Sequence, residues 1–311
     1  MTRHTSFLPM LSAACGIALF SVMDAVMKHA AIETGVYTAL LLRSIIGSVL
    51  MTPLWRLSGG RWPSWPLLAI HAKRGVVCAA MASSFFWGLV RMPMAQAIAL
   101  SFIAPLIALY LAAVVLGEKI RLPAIIASLL GLAGVLVIAF ARLHELAGAG
   151  AEGRGAMLGF GAVLLSALLY AWNLIIQRQQ AQLSGPAEVA LFQSAFIGIS
   201  LAALLPWMAP AGGAALPSMA ALWSIAGAAV LTATSLMLLT WSWGRAEAQV
   251  LLPLEYSAFL WSALMGWLMF GERLHIPTLI GAGLIIAGCW IGTRPSGKST
   301  RTPEHIEQTA L

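Results

Sequence analysis

Charge is scarce in this sequence. Only 9% of its 311 residues are Asp, Glu, Lys or Arg, against roughly 25% in a soluble domain. Hydrophobic residues make up 60% and the mean hydropathy is +0.89. No water-soluble core disposes of that much apolar surface, so lipid is the expected solvent. The three cysteines, Cys15, Cys78 and Cys289, fall in separate apolar runs without CxxC spacing. That excludes a disulfide framework and a zinc site and leaves them as inert packing residues. The six histidines, His4, His29, His71, His144, His275 and His305, sit at span ends, in loops or in tails. No intramembrane catalytic dyad or metal cluster can be assembled from them, so neither an enzyme nor a metal or other cofactor is expected. A P-loop with its Gly-Lys-Ser/Thr end is missing. The Gly-rich stretch Gly148 to Gly161 lacks the lysine and reads as a flexible loop, which excludes direct ATP coupling within the chain. Nothing supplies the repeated filter or polar ring of a channel.

What is present is a series of long apolar runs. They fall near residues 8–30, 36–55, 72–91, 94–116, 122–141, 156–177, 187–207, 219–243, 248–270 and 276–292. About 20 apolar residues span hydrocarbon as a helix, and none of the runs has the ten-residue alternation of a barrel strand. The expected fold is an all-α membrane protein of ten transmembrane helices. The first run contains Asp24 and Lys28 and no clear cleavage site, so it reads as a retained helix.

The net charge of +7 is scattered through short loops and not gathered into a stripe, so topology explains it better than nucleic acid does. Arg3, Arg56, Arg61, Lys73, Arg74, Lys119, Arg121, Arg178, Arg245, Arg294, Lys298 and Arg301 would collect on one side. Lys28, Arg91, Arg142, Arg154 and Arg273 would lie on the other. Positive-inside bias then places both termini in the cytoplasm. Residues 294–311 read as a disordered cytoplasmic tail.

The two halves resemble each other. Gly117-Glu118-Lys119-Ile120-Arg121-Leu122-Pro123 recurs as Gly271-Glu272-Arg273-Leu274-His275-Ile276-Pro277, and Ala133-Gly134 and Ala287-Gly288 follow at equal distances. Residues 1–143 and 155–293 form the two repeats, and five spans per half make the second copy enter from the opposite side. Such an inverted repeat is an arrangement that alternating-access carriers use.

Polar groups inside spans carry the chemistry, because a charge in lipid is tolerated mainly where pairing or function requires it. Asp24 and Arg43 reach a similar depth on the first two spans, so they pair or face one aqueous cavity. Lys28, one helical turn from Asp24, either snorkels at the outer interface or joins the site. Matching residues 18–28 onto 167–177 places Asp24 opposite Asn173, the only asparagine, and Lys28 opposite Gln177. Glu255 follows Pro253, which can open the helix beside a carboxylate and the phenol of Tyr256; the alternative holds Glu255 near Arg245 at the interface. Trp55, Trp62, Trp65, Trp241, Trp243 and Trp290 read as one aromatic belt, and Trp87, Trp207, Trp223 and Trp267 as the other. Trp172 and Trp261 are placed deeper, and with Tyr170 and Tyr256 they could stack on a planar or cationic ligand.

The duplicated Gly-Glu turn, followed by Pro and Ala-Gly, resembles the end of each half in the drug/metabolite transporter superfamily, EamA type. The resemblance covers residues 8–292 and implies a five-plus-five inverted bundle, cytoplasmic termini, a central cavity and secondary transport. Phe20-Ser21-Val22-Met23-Asp24-Ala25 with Lys28, Arg43-Ser44, Ser101-Phe102-Ile103-Ala104-Pro105 and Pro253-Leu254-Glu255-Tyr256-Ser257 are most similar to bacterial riboflavin or S-adenosylmethionine uptake carriers. The expectation is an inner-membrane secondary carrier of a small organic metabolite, first of all a nucleoside-like or heteroaromatic one. Its partners would be the solute, the bilayer and a proton or counter-substrate. The alternatives are an exporter of amino acids or drugs and, from another class, a receptor or structural protein that moves nothing.

Overall fold

The computed structural model describes residues 7–104, 122–145, 150–181, 183–208, 217–245 and 257–293, with the single positions 107, 111, 254 and 255. The described residues form ten helices and a short turn of helix at Leu205–Met208, with no strand among them. The helices are α1 (Phe7–Thr34), α2 (Val36–Leu57), α3 (Trp65–Leu89), α4 (Met94–Ser101), α5 (Leu122–Glu145), α6 (Gly150–Ala181), α7 (Pro186–Ala203), α8 (Met219–Trp243), α9 (Ser257–Phe270) and α10 (Ile276–Thr293). Five of them, α1, α2, α6, α7 and α8, are long and apolar enough to cross a membrane. Their outer faces carry the apolar side chains that a lipid solvent selects, such as Val49, Leu158, Ile199 and Val230.

Two spans start earlier than the sequence suggests. α3 begins at Trp65, behind Ser64 at its N-cap position and with Pro66 in its first turn, where a missing N–H costs nothing. His71, Lys73 and Arg74 therefore lie inside the helix and not at its edge or in a loop. α6 begins at Gly150, so the supposed flexible Gly-rich loop is helical from that point on. A glycine in a helix costs about 1 kcal/mol relative to alanine, but here close packing offsets it. A Cβ on Gly88 of α3 would stand 2.6 Å from the Gly159 carbonyl of α6, so the two backbones approach at small residues as membrane helices often do.

α1 packs chiefly on α8, α3 on α6, α2 on α7 and α5 on α10, with smaller contacts of α3 with α7, α2 with α8, α1 with α9 and α4 with α9. The α5/α10 crossing closes on two glycines. A Cβ on Gly134 would lie 2.5 Å from the Gly281 carbonyl, and one on Gly281 would lie 2.7 Å from that of Gly134. The α2/α7 crossing is reciprocal as well, with Gly47 against Ser194 and Gly198 against Ser44. The main buried cluster runs through α1, α3 and α4 and reaches Ile138, Val163, Ile225, Phe259 and Ile285. The first Gly-Glu turn through Arg121, Pro105, Pro253, Tyr256 and the tail 294–311 lie outside the described residues.

Candidate functional site

At the middle of the bundle lies a cavity of about 290 Å³, at the small end of the roughly 300–1,000 Å³ usual for small-molecule sites. α1 contributes Phe20, Ser21, Met23 and Asp24 to its wall, and α2 contributes Arg43, Ser44 and Gly47. α3 adds Arg74, Cys78, Phe85 and Phe86; α6 adds Ser166, Tyr170, Asn173 and Gln177; α7 adds Gln193 and Ser194. Ser101 of α4, Thr232 and Thr240 of α8 and Glu255, helical just ahead of α9, complete the polar lining. Aromatic and thioether groups thus alternate with two carboxylates, two guanidinium groups and several hydroxyls. Such a wall suits a solute with an apolar body and several polar substituents.

Asp24, Arg43, Tyr170, Asn173 and Glu255 therefore come together, although they are read from four separate spans. Asp24 and Arg43 are within coulombic reach of each other. Among the described residues the ion pairs within 4.0 Å are Lys28–Glu272 and His71–Glu188, so Asp24 and Arg43 share a cavity without forming a contact pair. Arg43 is buried, with its Nη1 3.5 Å from Met23 Sδ and its Cζ 5.7 Å from the Phe86 ring centroid. Glu255 is not held by Arg245, which is exposed and lies over the Trp241 ring.

At the N-terminal end of α3 a hydrogen-bond network ties three helices together. Arg74 Nε donates to Asn173 Oδ1 at 3.0 Å and its Nη1 donates to Gln180 Oε1. Gln180 Nε2 meets His71 Nδ1 at 2.5 Å, and His71 Nε2 meets Glu188 Oε1 at 3.2 Å. Ser184 Oγ donates to the same Glu188 oxygen at 2.9 Å. Cys78 is no inert packing residue, since its Sγ donates to Asn173 Oδ1 at 3.3 Å. Sequence reasoning missed Arg74, Cys78 and Gln193 as wall residues. The signal available for Arg74 was its place one turn beyond His71 and one turn before Cys78, a polar stripe on one helical face.

The opposite end of α3 is held differently. Lys28 is neither a snorkelling surface lysine nor a cavity residue. It is 5% exposed, and its Nζ donates to Glu272 Oε1 at 2.5 Å and to the Met92 carbonyl at 2.8 Å. Glu272 Oε2 also accepts the Met94 N–H at 2.7 Å, a favourable place for an anion because it is the start of α4. Gly271, with φ +63°, turns the chain at the end of α9 so that Glu272 can fold back. Gly266 leaves room for it, since a Cβ there would meet Glu272 Oε2 at 2.5 Å.

The tryptophan expectations need correction. Trp261 is 38% exposed and Trp172 44% exposed, and neither is part of the cavity wall. Both stand outside the wall with a sizeable part of the ring exposed, so they do not stack on a ligand there. Trp55, expected in an interfacial belt, is 2% exposed and packs edge-on against Trp62 and Phe192.

Comparison with known proteins matches the EamA-like transporter family model twice, over residues 7–140 and 157–293. The pseudopaline exporter CntI of Pseudomonas aeruginosa is 24% identical over 273 residues, covering 87% of this chain and 90% of that one. A riboflavin transporter of Rhizobium johnstonii is 26% identical over 235 residues, covering 75% of this chain and 72% of the relative. A riboflavin transporter of Brucella anthropi is 23% identical over 300 residues, covering 93% and 99%. One protein crystal structure superposes with a TM-score of 0.61 at 20% identity, covering 92% of this chain and 96% of that one.

Proposed function

The chain belongs to the EamA-like transporter family, and from that premise we propose that it is a secondary carrier of a small organic metabolite, working by alternating access. The observation that carries the proposal is a central cavity whose wall combines Asp24, Arg43, Asn173 and Glu255 with aromatic side chains. Beside it, the Lys28–Glu272–Met94 contact fastens the bundle at one end.

Support for a five-plus-five inverted repeat comes from the packing pattern. An exchange of helix n with helix n+5 turns the α1/α8 contact into α6/α3 and the α2/α8 contact into α7/α3. It also maps the α2/α7, α4/α9 and α5/α10 contacts onto themselves. The same exchange relates the Gly271-Glu272 turn to Gly117-Glu118 and Lys28 to Gln177. A fastening at one end thus has a counterpart in the sequence at the other. Making one while releasing the other would expose the cavity to alternate sides. The excess of Lys and Arg in one set of loops favours cytoplasmic termini in a bacterial-type inner membrane, and that bias keeps its sign when Arg74 and Lys28 are removed from the tally.

For the solute we favour a heteroaromatic or nucleoside-like compound taken up by the cell, riboflavin or S-adenosylmethionine being the first to test. The two relatives named as riboflavin transporters support that choice, and the relative named as an exporter supports the opposite direction as the second reading. Saturable counterflow in proteoliposomes checks the carrier reading. Accumulation in intact cells compared with everted vesicles then separates uptake from export. A chain that exchanges no solute in either format belongs instead with non-transporting receptors.

A further inference from the structure

Two buried guanidinium groups face the cavity, and they are not equivalent. Arg74 is engaged, with Asn173 and Gln180 taking its Nε and Nη1 donors. Among the described residues Arg43, 7% exposed, has only the Met23 thioether at 3.5 Å and the Phe86 face as partners. A guanidinium offers five N–H donors in a fixed fork, and burying that charge without oxygen acceptors is expensive unless a partner arrives. Asp24 is near enough to be felt but not in contact. The Arg43 fork is therefore open to the cavity it lines. Gln193, on the wall from α7, adds a buried Oε1 with no hydrogen-bond partner among the described residues.

Resting on the carrier reading above, we infer that Arg43 is the anion-binding residue of the cavity and that the transported solute carries a carboxylate or phosphate monoester, a group that S-adenosylmethionine has and riboflavin lacks. A planar guanidinium fork matches the paired oxygens of either group, which a point-charge lysine does not. Asp24 sets the second requirement. Its carboxylate repels an incoming anion unless the solute also presents a hydrogen-bond donor or cationic group, and Gln193 Oε1 asks for a donor as well. The recognised unit is an anionic oxygen group with a donor beside it, attached to an apolar body that lies on Phe20, Phe85 and Phe86.

The test uses the purified full-length protein and solute pairs that differ only in the anionic group. α-Amino and α-hydroxy carboxylates are compared with their methyl esters, and flavin 5′-phosphate is compared with riboflavin. Affinity is read from the rise in Tm and from counterflow in proteoliposomes. The anionic member of at least one pair is expected to bind about 10- to 100-fold more tightly. A preference confined to one kind of pair identifies the anion as carboxylate or phosphate. Arg43→Gln removes that preference, and Arg43→Lys, which keeps the charge without the fork, keeps part of it. The preference is read first in the unaltered protein, so poor folding of a variant does not remove the test. Neutral members exchanged as well as their anionic partners would overturn the inference and leave the carrier reading standing. Exchange of no solute at all would sink the carrier reading and this inference with it.

Discussion

Lys28 and Glu272, 244 positions apart in the chain, meet at 2.5 Å in a nearly dry contact at the end of the bundle where α3 gives way to α4. Their side chains are only 6% and 17% exposed. The pair joins the C-terminal part of α1 to the turn after α9, and the Met94 N–H brings the start of α4 into the same contact.

Removing one member of this pair leaves a buried charge uncompensated, which typically costs about 3–5 kcal/mol. Glu272→Gln and Lys28→Met should each lower the Tm clearly, and the double variant should lower it less than the two single effects added. Equal, additive losses in a double-mutant cycle would mean that the contact carries no coupling. Glu272→Gln should also raise cysteine-reagent access to the cavity from that end.

The two cavity arginines should separate stability from function. Arg74→Gln strands the acceptors on Asn173 and Gln180, at about 1–3 kcal/mol for each buried group left unsatisfied, so its unliganded Tm should fall. Arg43→Gln strands no protein oxygen. Its unliganded Tm should stay within a few degrees of the parent or rise, while the preference for the anionic solute is lost. A larger stability loss for Arg43→Gln than for Arg74→Gln would contradict this division.

Helix crossings at glycine should tolerate no methyl group. Gly134→Ala and Gly281→Ala place a Cβ 2.5 and 2.7 Å from facing carbonyl oxygens, so a backbone must move. Each should cost about 1–3 kcal/mol, the usual range for overpacking. Gly227→Ala is the control, with nothing within 4 Å of its new Cβ, and it should be neutral or slightly stabilising. Thermal denaturation of the three variants side by side checks the ranking.

Most of the helical framework is legible in the sequence because hydrocarbon thickness dictates run length directly. The α8 run at 219–243 coincides with the helix itself, and α2, α7 and α10 differ from their runs by a few residues. Early starts escape such reading, because α3 opens through Trp65 and Pro66 into residues that look like a loop until tertiary partners bury His71 and Arg74. Within the site, Asp24, Arg43, Asn173 and Glu255 stand out as polar groups in apolar runs, and all four line the cavity. The direction of a side chain around its helix is harder to infer. Trp261 has the right depth and the wrong face, and Lys28 sits one turn from Asp24 yet reaches away to Glu272.

That distinction of faces can be tested directly. Trp261→Leu and Trp172→Leu should leave solute exchange within about twofold of the parent, since a surface substitution usually changes little. Tyr170→Phe, on the cavity wall, should weaken exchange without unfolding the protein. Initial exchange rates in proteoliposomes decide between the two positions.

The most direct test of the central claim is counterflow in proteoliposomes, comparing the unaltered protein with Asp24→Asn and Glu255→Gln at matched reconstitution. A saturable, transient overshoot of labelled solute is expected in the unaltered protein, with its loss in both variants at unchanged fold. Overshoot that persists undiminished in both variants would place the transport site outside the cavity described here.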